Sequence, residues 1–277
     1  MQKNDMQKRT LEISCYVCGA GAFGVFFRWL QDMIAFDENG LAEPSAFHVL
    51  VPLYIIICAI VFLRMVDKTK NRRYFLPCDF NEALRNEGKL FTIARVAAGV
   101  IMALGGLVVL ATCEVEKEAG MLRILSLLAV LSGISYPLVL SEANTERPRT
   151  RLMCICSIMP VLMFSFWLVT SYKINSINSI VWAYAIEIIA IIVASLAFFR
   201  MAGFAFGAPS PWRSMFFAMF GTAMCIMAIA DSRNLGLQLI LLGAAIMLAL
   251  YNWIMISNLQ RKEAPIRYQP DDGFERL

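Results

Sequence analysis

The sequence predicts an all-α integral membrane protein, a compact bundle of about eight transmembrane helices. Of its 277 residues, 59% are hydrophobic and 17% are charged, whereas an ordinary soluble domain has about 45–50% apolar and about 25% charged residues. The apolar residues are also gathered into blocks of about 20, the length that a helix needs to cross a hydrocarbon layer about 30 Å thick. Composition and spacing therefore indicate the same class.

Eight such blocks follow one another, each bounded by charged or turn residues. They run over Ile13–Ala35, Val49–Val66, Leu90–Thr112, Met121–Leu140, Leu152–Ser171, Ile180–Phe199, Ser214–Ala230 and Leu235–Ser257. A backbone in lipid must satisfy its own hydrogen bonds, so each span is either a helix or a strand of a closed barrel. The runs are continuously apolar, which excludes barrel strands, because these alternate polar and apolar residues.

Lysine and arginine are distributed unevenly between the two sides that this succession of spans defines. The two tails and the second, fourth and sixth connections carry most of them, whereas the other side carries Lys117, Arg123, Lys173 and Arg233. An excess of these residues marks the cytoplasmic side. We therefore expect a cell-membrane protein with both termini in the cytoplasm, and the short loops favour a bacterial inner membrane.

The chain is expected to form one membrane domain, residues 13–257, between cytoplasmic tails over 1–12 and 258–277. Its longest loop, 67–89, contains "PCDFNEALRNEGKLF", in which Asp79 precedes Phe80 and Glu82 follows three residues later. This pattern is typical of a capped helix start. Phe80, Ala83 and Leu84 would share one face, so the loop predicts a short amphipathic helix lying on the inner leaflet.

Two segments indicate an internal repeat. "IIICAIVFLRMV" (55–66) aligns with "IIVASLAFFRMA" (191–202), and both contain F-x-R-M. A weak 4+4 parallel repeat would relate two four-helix halves by an axis along the membrane normal. The alternative is that apolar runs ending in arginine arise from composition alone.

Charged residues within the blocks are the candidate functional residues. A charge at the bilayer centre costs at least about 2.5–3.5 kcal/mol, so it tends to face the protein interior and to have a partner there. Arg28 and Asp32 lie near the outer end of the first block. Their spacing of four places them on one helix face, where they can pair locally.

Glu187 is the eighth residue of "IVWAYAIEIIAIIVASLAFF", which predicts a position near mid-membrane, roughly 10 Å from the outer end. We hypothesise that Arg28 pairs with Glu187 and that Asp32 supplies a second carboxylate towards the outer mouth. The alternatives are the local Arg28–Asp32 pair and a protonated Glu187 bonded to a neighbouring Ser, Tyr or backbone carbonyl.

Cysteine usage predicts neither a metal site nor disulfides. Cys15-x-x-Cys18 and Cys154-x-Cys156 would bring four thiols together only if the first and fifth blocks touched. Cysteine in a membrane helix usually fills space, and we expect reduced thiols. No cofactor motif is present.

Known catalytic patterns are absent, and we do not expect an enzyme. The single histidine, His48, excludes an H-E-x-x-H helix, and no G-x-S-x-G or phosphate-binding loop occurs. No sequence motif supports an intramembrane hydrolase that uses Ser132 or Ser135 with His48.

Two functions are therefore favoured over an enzyme. The first is a small-solute or ion transporter that binds through Glu187, Arg28 and Asp32, since intramembrane ionisable groups often mark solute pathways. The second is a non-transporting scaffold, sensor or accessory subunit that binds a membrane protein partner. Either one contacts the lipid bilayer, with anionic lipid at the basic cytoplasmic loops. No domain is large enough to bind nucleic acid.

Overall fold

The computed structural model describes residues 2–34, 46–71, 74–86, 88–113, 119–145, 151–175, 184–231 and 234–261. The predicted C-terminal tail beyond 261 lies outside these ranges, as do Lys117 and Arg233. The helices in the described part are α1 (Gln2–Ile34), α2 (Phe47–Asn71), α3 (Phe80–Leu84), α4 (Lys89–Thr112), α5 (Ala119–Glu142), α6 (Arg151–Asn175), α7 (Ala185–Ala205), α8 (Pro211–Ala228) and α9 (Leu235–Ser257). Two short strands, β1 (Tyr74–Phe75) and β2 (Gln260–Arg261), pair antiparallel.

Seven of these helices are long and apolar enough to cross a membrane: α1, α2, α4, α5, α6, α7 and α9. The eighth long helix, α8, has 18 residues and begins with the less apolar Pro211, Trp212 and Arg213. It nevertheless lies inside the bundle, packed on α1, α2, α7 and α9. The chain is thus an all-α integral membrane protein, and α8 corresponds to the shortest predicted block.

Six helices close into a ring. Each of α4, α5, α6, α7, α8 and α9 packs on the next, and α9 packs back on α4. Buried aromatic side chains contact one another between these helices, some stacked and some edge to face; they are Tyr136, Phe164, Trp167, Phe198 and Tyr251. Helix α1 lies outside the ring against α8 and α9, and α2 packs on α1 and α8. Helix α8 therefore packs both on its ring neighbours α7 and α9 and on the α1–α2 pair.

Small residues set the closest helix approaches within the ring. Gly99 of α4 and Gly133 of α5 each lie against the backbone oxygen of the other, and Gly105 of α4 lies against Gly236 of α9. The absence of a side chain at these positions lets the backbones approach, as is common in membrane bundles.

The start of α1 and the ends of α2 and α9 meet at one end of the bundle, which we call the basic end. Arg9 Nη2 donates to Thr69 Oγ1 (3.0 Å) and the guanidinium lies 5.1 Å from the centre of the Tyr74 ring. Tyr74 is in β1, which pairs with β2 directly after α9. The start of α1 and the end of α9 therefore lie on the same side of the bundle.

The opposite end of the bundle carries few cations. Of the lysines and arginines in the described ranges, those at the opposite end are Arg28, Arg123 and Lys173. This spatial segregation matches the uneven distribution along the sequence.

The loop before α4 contains the predicted short helix, α3, but the apolar face of this helix is covered by the protein. Asp79 caps α3, since its Oδ2 accepts from the backbone N–H of Asn81 (3.1 Å). The apolar face of α3 is buried in the protein, and Asn258, after α9, donates to the carbonyls of Ala83 and Arg85 at 2.9 and 2.8 Å. The helix is thus docked on the bundle, in place of the predicted contact with the inner leaflet.

The two halves of the chain pack differently, which gives the predicted internal repeat no structural support. In a 4+4 repeat, α4 of the first half would correspond to α8 of the second. Helix α4 packs chiefly on α5 and α9, whereas α8 packs on α1, α2, α7 and α9. The shared F-x-R-M motif places Arg64 and Arg200 in the parts of α2 and α7 that lie towards the basic end.

Candidate functional site

Close packing of α1 on α8 brings the polar end of α1 to the segment after α8. Gly21 faces Ile226 and Gly24 faces Met227, so the two helices run side by side in the same direction. One turn beyond Gly24, this buried stripe of α1 continues with Arg28. The glycines therefore place the Arg28 side chain beside the residues that follow α8.

Among the described residues, three side chains contact Arg28 there. Its Nε donates to Asp231 Oδ1 (2.7 Å), its Nη1 donates to Gln31 Oε1 (2.7 Å), and its Nη2 lies 3.5 Å from Asp32 Oδ1. Arg28 and Asp231 are 2% and 3% exposed, whereas the Asp32 side chain is 37% exposed. A short ion pair thus lies in the protein interior, and a longer one extends towards the surface.

Two further contacts in the described part of the chain extend this group of side chains. Gln31 Nε2 lies 3.4 Å from His48 Nδ1 at the start of α2. Gln238 Nε2 donates to the backbone carbonyl of Asp231 (3.0 Å) and fixes the position of that residue. We call Arg28, Gln31, Asp32, His48 and Asp231 the arginine cluster.

The arginine cluster has more acidic than basic groups. Among the described residues, one guanidinium faces two carboxyl groups, those of Asp231 and Asp32. Removing an ion pair from water is costly unless hydrogen bonds compensate, and Gln31 supplies one such bond. Asp32 is the more exposed of the two acids, and its carboxyl group can bind a proton or a cation.

Glu187 lies elsewhere, in the first turn of α7. It is 1% exposed; Trp167 Nε1 donates to its Oε1 (2.8 Å) and Ser171 Oγ donates to its Oε2 (3.1 Å). Both donors belong to α6. A carboxylate is also favoured at a helix N-terminus, where the backbone N–H groups carry partial positive charge.

Two predictions about Glu187 were wrong. Helix α7 begins at Ala185, so Glu187 is the third residue of its helix and not the eighth, as the predicted block had it. Arg28 does not pair with it, because the described carboxylates that contact Arg28 are Asp231 and Asp32, and α8 separates α1 from α7. Two contacts from the alternative predictions are present: Arg28 lies near Asp32 on the same helix, and Glu187 accepts a hydrogen bond from Ser171.

Two buried oxygens without partners lie further along α1 and α9. In the described ranges, Ser14 Oγ and Asn252 Oδ1 have no hydrogen-bond partner. Ser14 is one turn from Val17 in the buried stripe of α1, and Asn252 is one turn beyond Leu248, which packs on Gly221 of α8. We call the interface that α1 forms with α8 and α9 the α1–α8–α9 seam.

The cysteine pairs and the serine–histidine set are not brought together. Cys15 and Cys18 are exposed on α1, which packs on α2, α8 and α9, whereas α6, with Cys154 and Cys156, packs on α5 and α7. Ser132 Oγ bonds a carbonyl within α5, and His48 contacts α1.

Sequence reasoning missed Asp231, Gln31 and His48 as members of the site. The available signal was position along the spans, because Asp231 directly follows the seventh apolar block and Arg28 lies near the same, outer end of the first. No family model, curated protein or solved structure matches the chain.

Proposed function

We propose that this protein is a transporter that moves a small cation, or a solute together with a proton, along the α1–α8–α9 seam. The observation that carries the proposal is the arginine cluster, in which one buried guanidinium is shared by two carboxylates from separate elements. Intramembrane ionisable residues are costly and often mark ion or solute pathways. The excess of lysine and arginine favours placing the basic end in the cytoplasm.

The polar atoms along the seam favour a cationic substrate. Asp32 offers carboxylate oxygens at the surface, and Ser14 and Asn252 offer buried oxygens that no described protein group occupies. An acceptor left unsatisfied in the interior costs about 1–3 kcal/mol. A cation, or a water that accompanies it, would supply the missing partner.

The contacts of Arg28 provide a mechanism for opening. The Arg28–Asp231 pair joins α1 to the segment after α8, and in the proposed mechanism this contact closes the opposite end of the seam. Asp32 lies on the same helix as Arg28 and remains within reach when α1 moves away from Asp231. The guanidinium thus has a carboxylate partner in both the closed and the open arrangement, which lowers the cost of separation.

Glu187 has a structural role in this proposal. Each of its carboxyl oxygens already accepts a hydrogen bond from α6, and it lies across α8 from the seam. Its contacts fasten the start of α7 to α6.

Flux through the purified chain in liposomes tests the proposal. Proton entry is followed with an enclosed pH dye, and alkali-cation and small-amine entry with a potential-sensitive dye under imposed gradients. We expect flux that Asp231→Asn and Asp32→Asn each change at least about tenfold, the effect of roughly 1.4 kcal/mol on a barrier. Asp67→Asn is the matched control, because it removes an exposed carboxylate of α2. Absence of flux under every gradient, or equal flux in all four proteins, contradicts transport.

The second candidate function is a non-transporting scaffold or subunit of a membrane complex. The observation in its favour is the filled interior of the ring, where Phe164, Trp167 and Phe198 are buried and stacked. A folded protein that conducts nothing in the liposome assay would support this function, with a membrane protein partner bound on its apolar outer face.

A further inference from the structure

A groove of about 540 Å³ lies between the first turns of α1 and the last turns of α2 at the basic end. Its polar part is lined by Lys8, Arg9 and Lys68, and its apolar part by Tyr16, Val61 and Met65. The groove is far from the arginine cluster, which lies at the opposite end of the same two helices. It therefore stands independently of the proposed transport function.

The guanidinium of Arg9 is held in place before any ligand binds. Thr69 Oγ1 accepts from Arg9 Nη2 (3.0 Å) and itself donates to the Met65 carbonyl (2.8 Å), which fixes the orientation of the hydroxyl. The Tyr74 ring lies against the guanidinium. In the described part of the chain, the remaining N–H groups of Arg9 donate to no protein acceptor, so they are available for an anion.

The charges in the groove favour an anionic ligand. Lys8, Arg9 and Lys68 are opposed by a single acid, Glu12, which is four residues from Lys8 and can pair with it locally. Arginine and lysine together are well suited to phosphate, since guanidinium matches two oxygens and ammonium adds a point charge.

The apolar part of the groove indicates that this anion carries a hydrocarbon chain. Val61 is exposed and Met65 half-buried on α2, and Tyr16 is exposed on α1. Both helices are membrane spans, so these side chains face the lipid acyl region while the three cations lie at its edge. A free phosphate would leave the apolar wall uncovered.

We propose that the groove binds one anionic phospholipid, with its phosphate at Arg9, Lys8 and Lys68 and an acyl chain along Val61 and Met65. The bound lipid fills the space between α1 and α2 at the basic end. It joins the two helices where the protein itself leaves a gap.

Native mass spectrometry of the full chain released from micelles tests this site. The probes are phosphatidylglycerol and phosphatidylcholine with identical acyl chains. We expect one phosphatidylglycerol to be retained in preference to phosphatidylcholine, and Arg9→Gln and Lys68→Gln each to weaken retention about fivefold. Lys89→Gln, which removes an exposed cation at the same end but outside the groove, should change retention less than about twofold.

Further variants separate specific binding from general attraction. Arg9→Lys keeps the charge but cannot reproduce the contacts with Thr69 and Tyr74, so it should retain lipid at an intermediate level. Unchanged thermal unfolding of the variants shows that they remain folded. Equal retention of both lipids, or full retention by the Arg9→Gln/Lys68→Gln double variant, overturns the proposal. Displacement of the lipid by millimolar inorganic phosphate also overturns it, because the site would then be one for a free anion.

Discussion

Replacement of Asp231 by alanine is the sharpest perturbation of the arginine cluster. Removing one member of a buried ion pair costs about 3–5 kcal/mol, because the other charge remains buried and uncompensated. Here Arg28 keeps Gln31 at 2.7 Å and Asp32 at 3.5 Å. We therefore expect Asp231→Ala to lower the free energy of unfolding by about 2–4 kcal/mol, somewhat below the full range.

Two further variants define the origin of that loss. Asp32→Ala should cost no more than about 1 kcal/mol, because its side chain is 37% exposed and such pairs contribute little. The double variant Arg28→Met/Asp231→Leu should recover most of the stability, since replacing both members of a buried pair by apolar residues is often neutral.

The free energy of unfolding is measured by titration of mixed micelles with SDS, followed by tryptophan fluorescence. Asp67→Ala, at an exposed position of α2, serves as the control. If Asp231→Ala is no less stable than this control, or if the double variant is less stable than Asp231→Ala, the buried pair does not hold α1 against α8 as described.

Three more outcomes follow from the packing and are measured by the same titration. Gly133→Ala should destabilise the protein by about 1–3 kcal/mol, because a Cβ there meets the Gly99 backbone oxygen. The control, Gly19→Ala, has open space around the new Cβ and should be neutral. Equal stability of the two variants refutes the close α4–α5 contact. Trp167→Phe should cost about 1–3 kcal/mol by leaving Glu187 Oε1 without its indole donor, and a neutral result argues against that bond. Glu187→Gln should leave liposome flux unchanged. Loss of flux in this variant would place Glu187 on the pathway.

The spans could be predicted from the sequence because lipid requires long apolar helices, and hydropathy reports that requirement directly. The start of α7 could not be predicted equally well. Ile180 and Val181 are as apolar as the helix that follows, so hydropathy extends the block past the observed start at Ala185. That displacement moved Glu187 from the first turn of its helix to a predicted position near mid-membrane.

Half of the arginine cluster follows from local spacing. Arg28 and Asp32 are four residues apart on one helix, and that relation depends on helix geometry alone. Asp231 is 203 residues from Arg28 along the chain and reaches it only because Gly21 and Gly24 let α1 pack on α8. Which helices pack together is set by many weak side-chain contacts, and no single pattern in one sequence encodes them.

Water access to the α1–α8–α9 seam tests the central claim most directly. The Ser14→Cys variant, in a background without the native cysteines, is treated with a small, charged methanethiosulfonate reagent. The control protein retains Cys15 as its single cysteine, and Cys15 is exposed on the outer face of α1. We predict that the thiol at position 14 reacts, that it reacts faster when Asp231→Asn weakens the closure, and that Cys15 stays inert in lipid. A thiol at position 14 that is as inert as Cys15, with or without Asp231→Asn, would contradict a seam that opens to water.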